Sequence, residues 1–238
     1  MKLPSVVHKE PHGSAGGAKL NWLRAAVLGA DDGIISVASI VVGVAGAIAD
    51  LRTILIGGIA GLLAGVFSMA AGEYVSVSSQ RDTERVLLEK ERGELRDFPN
   101  EELEELTGIY EQKGLSRATA AAVARELTAH DVFAAHAEAE LKIDPHDLTN
   151  PWHAAIASAL SFTAGGVIPL AAIILPPEPW RIAVTFAAVF VALVITGLLS
   201  AWASGANPVK VTVRVVAGGM LAMVVTYGIG KLFGVVGI

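Results

Sequence analysis

The 238-residue sequence contains no cysteine, which excludes disulfide scaffolds, thiolate zinc sites and iron–sulfur clusters. Any metal this chain holds must be held by oxygen, imidazole or thioether ligands. Charge is scarce as well: Asp, Glu, Lys and Arg are 17% of the residues against 53% hydrophobic, too little for an ordinary soluble domain. Catalytic signatures are also missing. There is no Gly-x-x-x-x-Gly-Lys-Ser/Thr loop, no Gly-x-Ser-x-Gly and no His-Glu-x-x-His, so neither nucleotide hydrolysis nor hydrolase chemistry has a candidate. No Glu is followed three residues later by His, which excludes the di-iron carboxylate bundle. The chain reads as a non-enzyme with no tightly bound cofactor, and any transport it performs must draw on a gradient.

What is present is apolar length. The mean hydropathy is +0.56, and five windows, roughly 22–48, 53–78, 152–175, 180–203 and 209–233, supply the 20 or so apolar residues that a membrane-crossing helix needs. Asp50-Leu51-Arg52, Asn150-Pro151, Pro176-Pro177-Glu178-Pro179 and Gly205-Ala206-Asn207-Pro208 supply the turns and caps between them. The expected organisation is a disordered leader over 1–20 with no signal-peptide core, transmembrane helices 1 and 2 over 21–79, a cytoplasmic helical metal-binding domain over 80–149, and transmembrane helices 3 to 5 over 150–238. No proline interrupts Thr53 to Arg96, so the second span is expected to continue as one helix of about 66 Å, its second half a stalk outside a hydrocarbon layer of about 30 Å. Two further helices follow, one opening at Pro99 and stopping near Gly114, the other capped by Ser116 and running to about Lys142.

Charge placement sets the orientation. If the leader and the charged segment face the cytoplasm, that side holds fifteen basic residues and the other side only Arg52, Arg181 and Lys231, so the N-terminus is in and the C-terminus out. The segment from Asp82 to Asp147 is acidic, with 17 carboxylates to nine basic residues between Arg81 and Lys142, a surface suited to cations and not to nucleic acid or anionic lipid. Within it Glu91 and Glu94 are spaced i, i+3, as are Glu102 and Glu105, and such spacing sets two carboxylates on one helix face. His130, Asp131 and His136 add possible ligands. Oxygen-rich sites without thiolate favour Mg, Ca, Mn or Fe(II).

Two carboxylates, Asp31 and Asp32, stand inside the first apolar run, where each costs at least about 2.5–3.5 kcal/mol at the bilayer centre. Neighbours on a helix point about 100° apart, so the two face different surfaces. Steps of three and four from Asp32 meet Gly29, Ser36, Ser39, Gly43 and Gly46, whereas those from Asp31 meet Ile35, Ala38, Val42 and Ala45. Asp32 is therefore expected on a polar stripe facing protein or water. The second span carries its own small-residue stripe, Gly58, Gly61, Gly65, Ser68, Gly72 and Ser76, with Met69 and Glu73 on its margin. The expected pathway residues are Asp32, Met69, Glu73 and Asp31.

The run "RAAVLGADDGIISVASIVVGVAGA", then "AGLLAGVFSMAAGEYVSVSSQRD", a Glu-rich helical insert and three more spans is similar to the vacuolar iron transporter family, including its bacterial members. The resemblance covers nearly the whole chain from Asn21. It implies a homodimer of five-helix subunits with a cytoplasmic three-helix metal-binding domain between helices 2 and 3. It also implies a proton-coupled exchanger that moves Fe(II) and related ions such as Mn(II) out of the cytoplasm, here in a bacterial inner membrane. By the same resemblance Asp32 and Met69 match the pathway residues, Glu91, Glu94, Glu102 and Glu105 match the domain's glutamates around Pro99, and Glu140 matches on the third helix of the domain. Five positions depart from the plant pattern. Ala25 and Gly61 stand where acidic residues are expected, and Val132, Phe133 and Ala134 where methionines are, leaving Glu73, His130, Asp131 and His136 as local substitutes. A manganese-specific exporter and a membrane-anchored metal store or sensor that transports nothing remain open at this stage.

Overall fold

The computed structural model describes residues 14–236, and these are helical throughout their regular structure. Seven α-helices follow in order: α1 (Ser14–Ala47), α2 (Leu51–Asp97), α3 (Pro99–Gln112), α4 (Arg117–His136), α5 (Pro151–Ile174), α6 (Arg181–Ser204) and α7 (Pro208–Val236). A π-turn at Ala137–Leu141 extends α4, and a 3₁₀ turn at Glu178–Trp180 precedes α6. Five helices are long and apolar enough to cross a membrane. Of the expected leader, residues 1–13 lie outside the described residues. Its last part is corrected: α1 begins at Ser14, so 14–20 are helical. The run from Ser14 holds no proline, and alanine, lysine and leucine propagate a helix that the apolar span behind them has already nucleated.

The chain divides into two compact units, one formed by residues up to Gly72 with those from Ala155 onward, the other by Glu73–Ala154. In the first unit α1 is the central element. Its Ile34, Val37, Ala38, Val41 and Val42 are fully buried and pack with Ile54 of α2, Phe162, Leu170 and Ile173 of α5, Val189 and Leu193 of α6 and Met223 of α7. Glycine permits the closest approaches: a Cβ on Gly33 would lie 2.1 Å from the Phe162 carbonyl oxygen, and one on Gly230 would lie 1.9 Å from that of Gly43. The glycines of the two predicted stripes mostly face neighbours in this chain. Gly43 and Gly46 meet Thr226 and Tyr227 of α7, Gly58 and Gly61 meet Val41 and Ile40 of α1, and Gly65 meets the Phe162 ring.

The second unit is small, and its apolar core consists mainly of Leu88, Leu106, Ala120, Ala124 and Ala137. Proline opens α3 at its first position, and the Ser116 hydroxyl accepts the Thr119 N–H to cap α4, both as the local sequence dictates. The expected unbroken helix to Lys142 is corrected. Asp131 leaves helical geometry (φ −157°, ψ 96°), and its Oδ1 accepts the Ala134 N–H at 2.9 Å. That is N-cap behaviour in mid-sequence: the short carboxylate satisfies a backbone donor in place of an intrahelical carbonyl and restarts the helix. The π-turn follows, closed by Lys142 in the left-handed region (φ 58°), a conformation that costs a non-glycine residue about 1–2 kcal/mol.

Candidate metal site

Three helices and the π-turn of the second unit converge on one point. Glu91 comes from α2, Glu102 from α3, His136 from the end of α4 and Glu140 from the π-turn, each offering one ligand atom, all within 4.8 Å of one another. His136 is 0% exposed, Glu91 2% and Glu102 7%, while Glu140 is the most open of the four. His136 Nδ1 lies 3.1 Å from Glu91 Oε1 and 3.5 Å from Glu102 Oε2. Neither distance is a well-formed hydrogen bond: Glu91 Oε1 and both ring nitrogens of His136 are buried without a partner. Buried polar atoms left unpaired cost about 1–3 kcal/mol each, so the cluster suits a cation that takes one ligand atom from each residue, His136 giving one ring nitrogen.

Electrostatics favour the same occupant. Burial, reinforced by Glu140, Glu102, Glu94 and Glu105, raises the Glu91 carboxyl to about 7. Glu102 and Glu140 are also raised, chiefly by burial and then by neighbouring glutamates, and a hydrogen bond with Glu91 partly offsets the rise at Glu140. Burial lowers His136, keeping its imidazole neutral and able to ligate. Mutual repulsion among carboxylates is what a divalent ion relieves. Three carboxylates and one imidazole, with no thiolate, suit Fe(II) or Mn(II).

The predicted glutamate pairs each divide between site and surroundings. Glu94 stands 2.9 Å from Lys90, in an ion pair, and Glu105 is exposed; both act on the cluster through their charge without joining the four. His130 is exposed and lies ahead of the Asp131 break, while His136 lies after it, and Asp131 itself serves the backbone. Arg92 stacks over the Phe133 ring at 4.4 Å, tying the restarted end of α4 to α2 next to Glu91.

In the membrane-spanning unit the two aspartates separate as helical geometry requires, and the neighbours they meet are specific. Asp32 is exposed on the surface of the single chain and accepts the Ser36 hydroxyl at 2.9 Å. Asp31 turns inward and accepts a hydrogen bond from the Thr196 hydroxyl of α6. Thr196 was not among the sequence candidates; its only signal is a hydroxyl in the apolar run "VALVITGLLS". Met69 is partly buried against the apolar core, and Glu73 is exposed.

The sequence model of the VIT family matches residues 23–231. A vacuolar iron transporter of Acanthamoeba castellanii is 42% identical over 94% of this chain and 82% of its own length. Vacuolar iron transporter homolog 1 of Oryza sativa subsp. japonica is 39% identical over 93% of this chain and 78% of its own, and homolog 4 of Arabidopsis thaliana 38% over 91% and 86%. These relatives are amoebal and plant proteins, so the expected bacterial assignment is not borne out.

Proposed function

The chain belongs to the VIT family, and from that premise we propose that it carries Fe(II), and Mn(II) with it, out of the cytoplasm in exchange for protons. Members of the family are transporters, not enzymes, and five apolar helices make this chain an integral, multi-pass membrane protein. The observation that carries the ion assignment is the quartet Glu91, Glu102, His136 and Glu140, whose ligand atoms all lie within 4.8 Å of one another, with Glu91 Oε1 and the His136 ring nitrogens buried without a hydrogen-bond partner. In this reading Glu73–Ala154 is the cytoplasmic metal-binding domain, as the basic-residue bias supports, and its acidic surface gathers the ion.

Asp32 and Met69 then line the path through the membrane. A carboxylate cannot hold a proton and a metal ion at the same oxygens, so the two compete at Asp32, and that competition is exchange in outline. The thioether of Met69 favours a softer ion such as Fe(II) over Mg(II) or Ca(II). An exposed intramembrane carboxylate is costly in lipid. A second copy of the chain, giving a homodimer with Asp32 at the seam, is the covering we assign to it.

Flux assays on the full chain in proteoliposomes test the proposal. Fe(II) and Mn(II) should each cross faster than in protein-free vesicles, and imposing an opposing pH gradient should accelerate them, with an internal pH dye reporting the counterflow. Manganese flux without iron flux would make it a manganese-specific exporter. Metal binding with no flux would make it a store or sensor.

A further inference from the structure

We infer that Asp31 and Thr196 form a clasp between α1 and α6 that fixes the rotation of α1 and thereby aims Asp32, which makes Asp31 a positioning residue. The inference rests on the reading of Asp32 as a pathway residue. Thr163, Thr185 and Thr226 each donate their hydroxyl proton to the carbonyl four residues back, in Ala159, Arg181 and Ala222, the usual resting place for a threonine inside a helix. Thr196 differs. Its hydroxyl reaches across to Asp31 Oδ1, with the carbonyl of Leu193 a longer second acceptor at 3.3 Å. Thr196 is buried and Asp31 is half-buried, so the bond lies at the edge of the packed interior between the two helices.

The opposite side of α1 is held by shape. A Cβ on Gly29 would lie 2.9 Å from the Ser161 Cβ, one on Gly33 would strike the Phe162 carbonyl, and one on Gly165 would lie 2.1 Å from the Ala30 carbonyl oxygen. At 100° per residue, Asp31 lies about 180° around the helix from the midpoint of Gly29 and Gly33. The helix is therefore gripped from both sides, by α5 against glycine and by α6 through Asp31. Asp32 falls between the two grips, where its own chain leaves it exposed and Ser36 sets its rotamer. Loosening either grip lets α1 rotate and carries Asp32 off its bearing.

Full-length protein in proteoliposomes, with Fe(II) or Mn(II) as the probe, tests the clasp. Asp31→Ala and Thr196→Val should each raise KM for the ion roughly three- to tenfold, the range that one interhelical hydrogen bond in a membrane supports. The double variant should lose no more than either single one. Thr196→Ser and Asp31→Asn, which keep the hydroxyl donor and an acceptor oxygen, should recover most of the loss. If Asp31→Asn is as impaired as Asp31→Ala while Thr196→Val transports normally, Asp31 acts on the ion itself and the clasp is wrong. Melting of the detergent-purified variants gives a readout independent of transport. Non-additive losses from Asp31→Ala and Thr196→Val support the clasp even if no ion moves, an outcome that would instead sink the transport reading. Additive losses overturn the clasp.

Discussion

The two units arrange their acidic side chains in opposite ways. In Glu73–Ala154, carboxylates far apart in sequence, Glu91, Glu102 and Glu140, are brought to one point with His136 by three helices and a π-turn. In the membrane-spanning unit, two adjacent carboxylates are driven apart by one helix, Asp31 inward to Thr196 and Asp32 outward to the surface. Convergence concentrates negative charge until a cation is the cheapest remedy. Divergence gives one carboxylate an interhelical partner in Thr196 and leaves the other exposed, bonded only within its own helix to Ser36.

The largest expected effect separates these roles. Asp32→Ala should reduce Fe(II) and Mn(II) flux in proteoliposomes to the protein-free level while leaving Mn(II) binding to the purified chain intact, as followed by electron paramagnetic resonance. Equal flux with and without the substitution would remove Asp32 from the path. Next, His136→Ala should weaken Mn(II) binding by about tenfold or more, equivalent to at least about 1.4 kcal/mol. It should do so without touching Asp32, and unchanged titration calorimetry would dissolve the quartet as a site.

A third effect concerns pH. The ion needs Glu91 deprotonated, and Glu91 is raised to about 7, so Mn(II) affinity should fall as the pH drops from 8 through 7, approaching about tenfold per unit below that value. Metal-free stability runs the other way. A carboxyl raised in the folded state contributes stability that is full below its unfolded value of 4.5 and is lost as pH rises through about 7. His136, held below its usual 6.5, opposes this only in more acid solution, so between pH 6.5 and 8 the metal-free melting temperature should decline as the glutamates ionise. A flat profile for both quantities would deny the crowding of carboxylates. The smallest effect is Arg92→Ala, which removes the stacking on Phe133 and should cost about 0.5–1 kcal/mol of stability at this exposed position. Ion affinity should soften with it, because Phe133 belongs to the segment that carries His136.

Much of this was legible in the chain itself. The spans follow from apolar length, α2 runs unbroken from Leu51 to Asp97 because no proline or turn interrupts it, and Pro99 and Ser116 start their helices where capping chemistry says they should. Helical periodicity alone separated Asp31 from Asp32. It did not tell which side would face protein: the stripe through Gly29, Gly43 and Gly46 that accompanies Asp32 packs on α5 and α7, yet Asp32 itself stays outside. Asp131 was equally ambiguous, since an aspartate can sit on a solvated helix face or cap a new segment. Its choice here separates His130 from His136. Nor does i, i+3 spacing say that Glu91 and Glu102 reach the cluster while Glu94 and Glu105 stay at its edge.

Sequence by itself determined that this chain crosses a membrane, keeps most of its charge in one insert, and offers oxygen and imidazole ligands but no thiolate, because those properties are set by composition and by the period of a single helix. Only the tertiary structure decided which carboxylates meet. Convergence of Glu91, Glu102, His136 and Glu140 depends on the relative rotation of α2, α3 and α4, and the clasp of Asp31 on Thr196 depends on how α1 lies against α6. Those rotations come from packing between helices, and no local rule within one helix contains them.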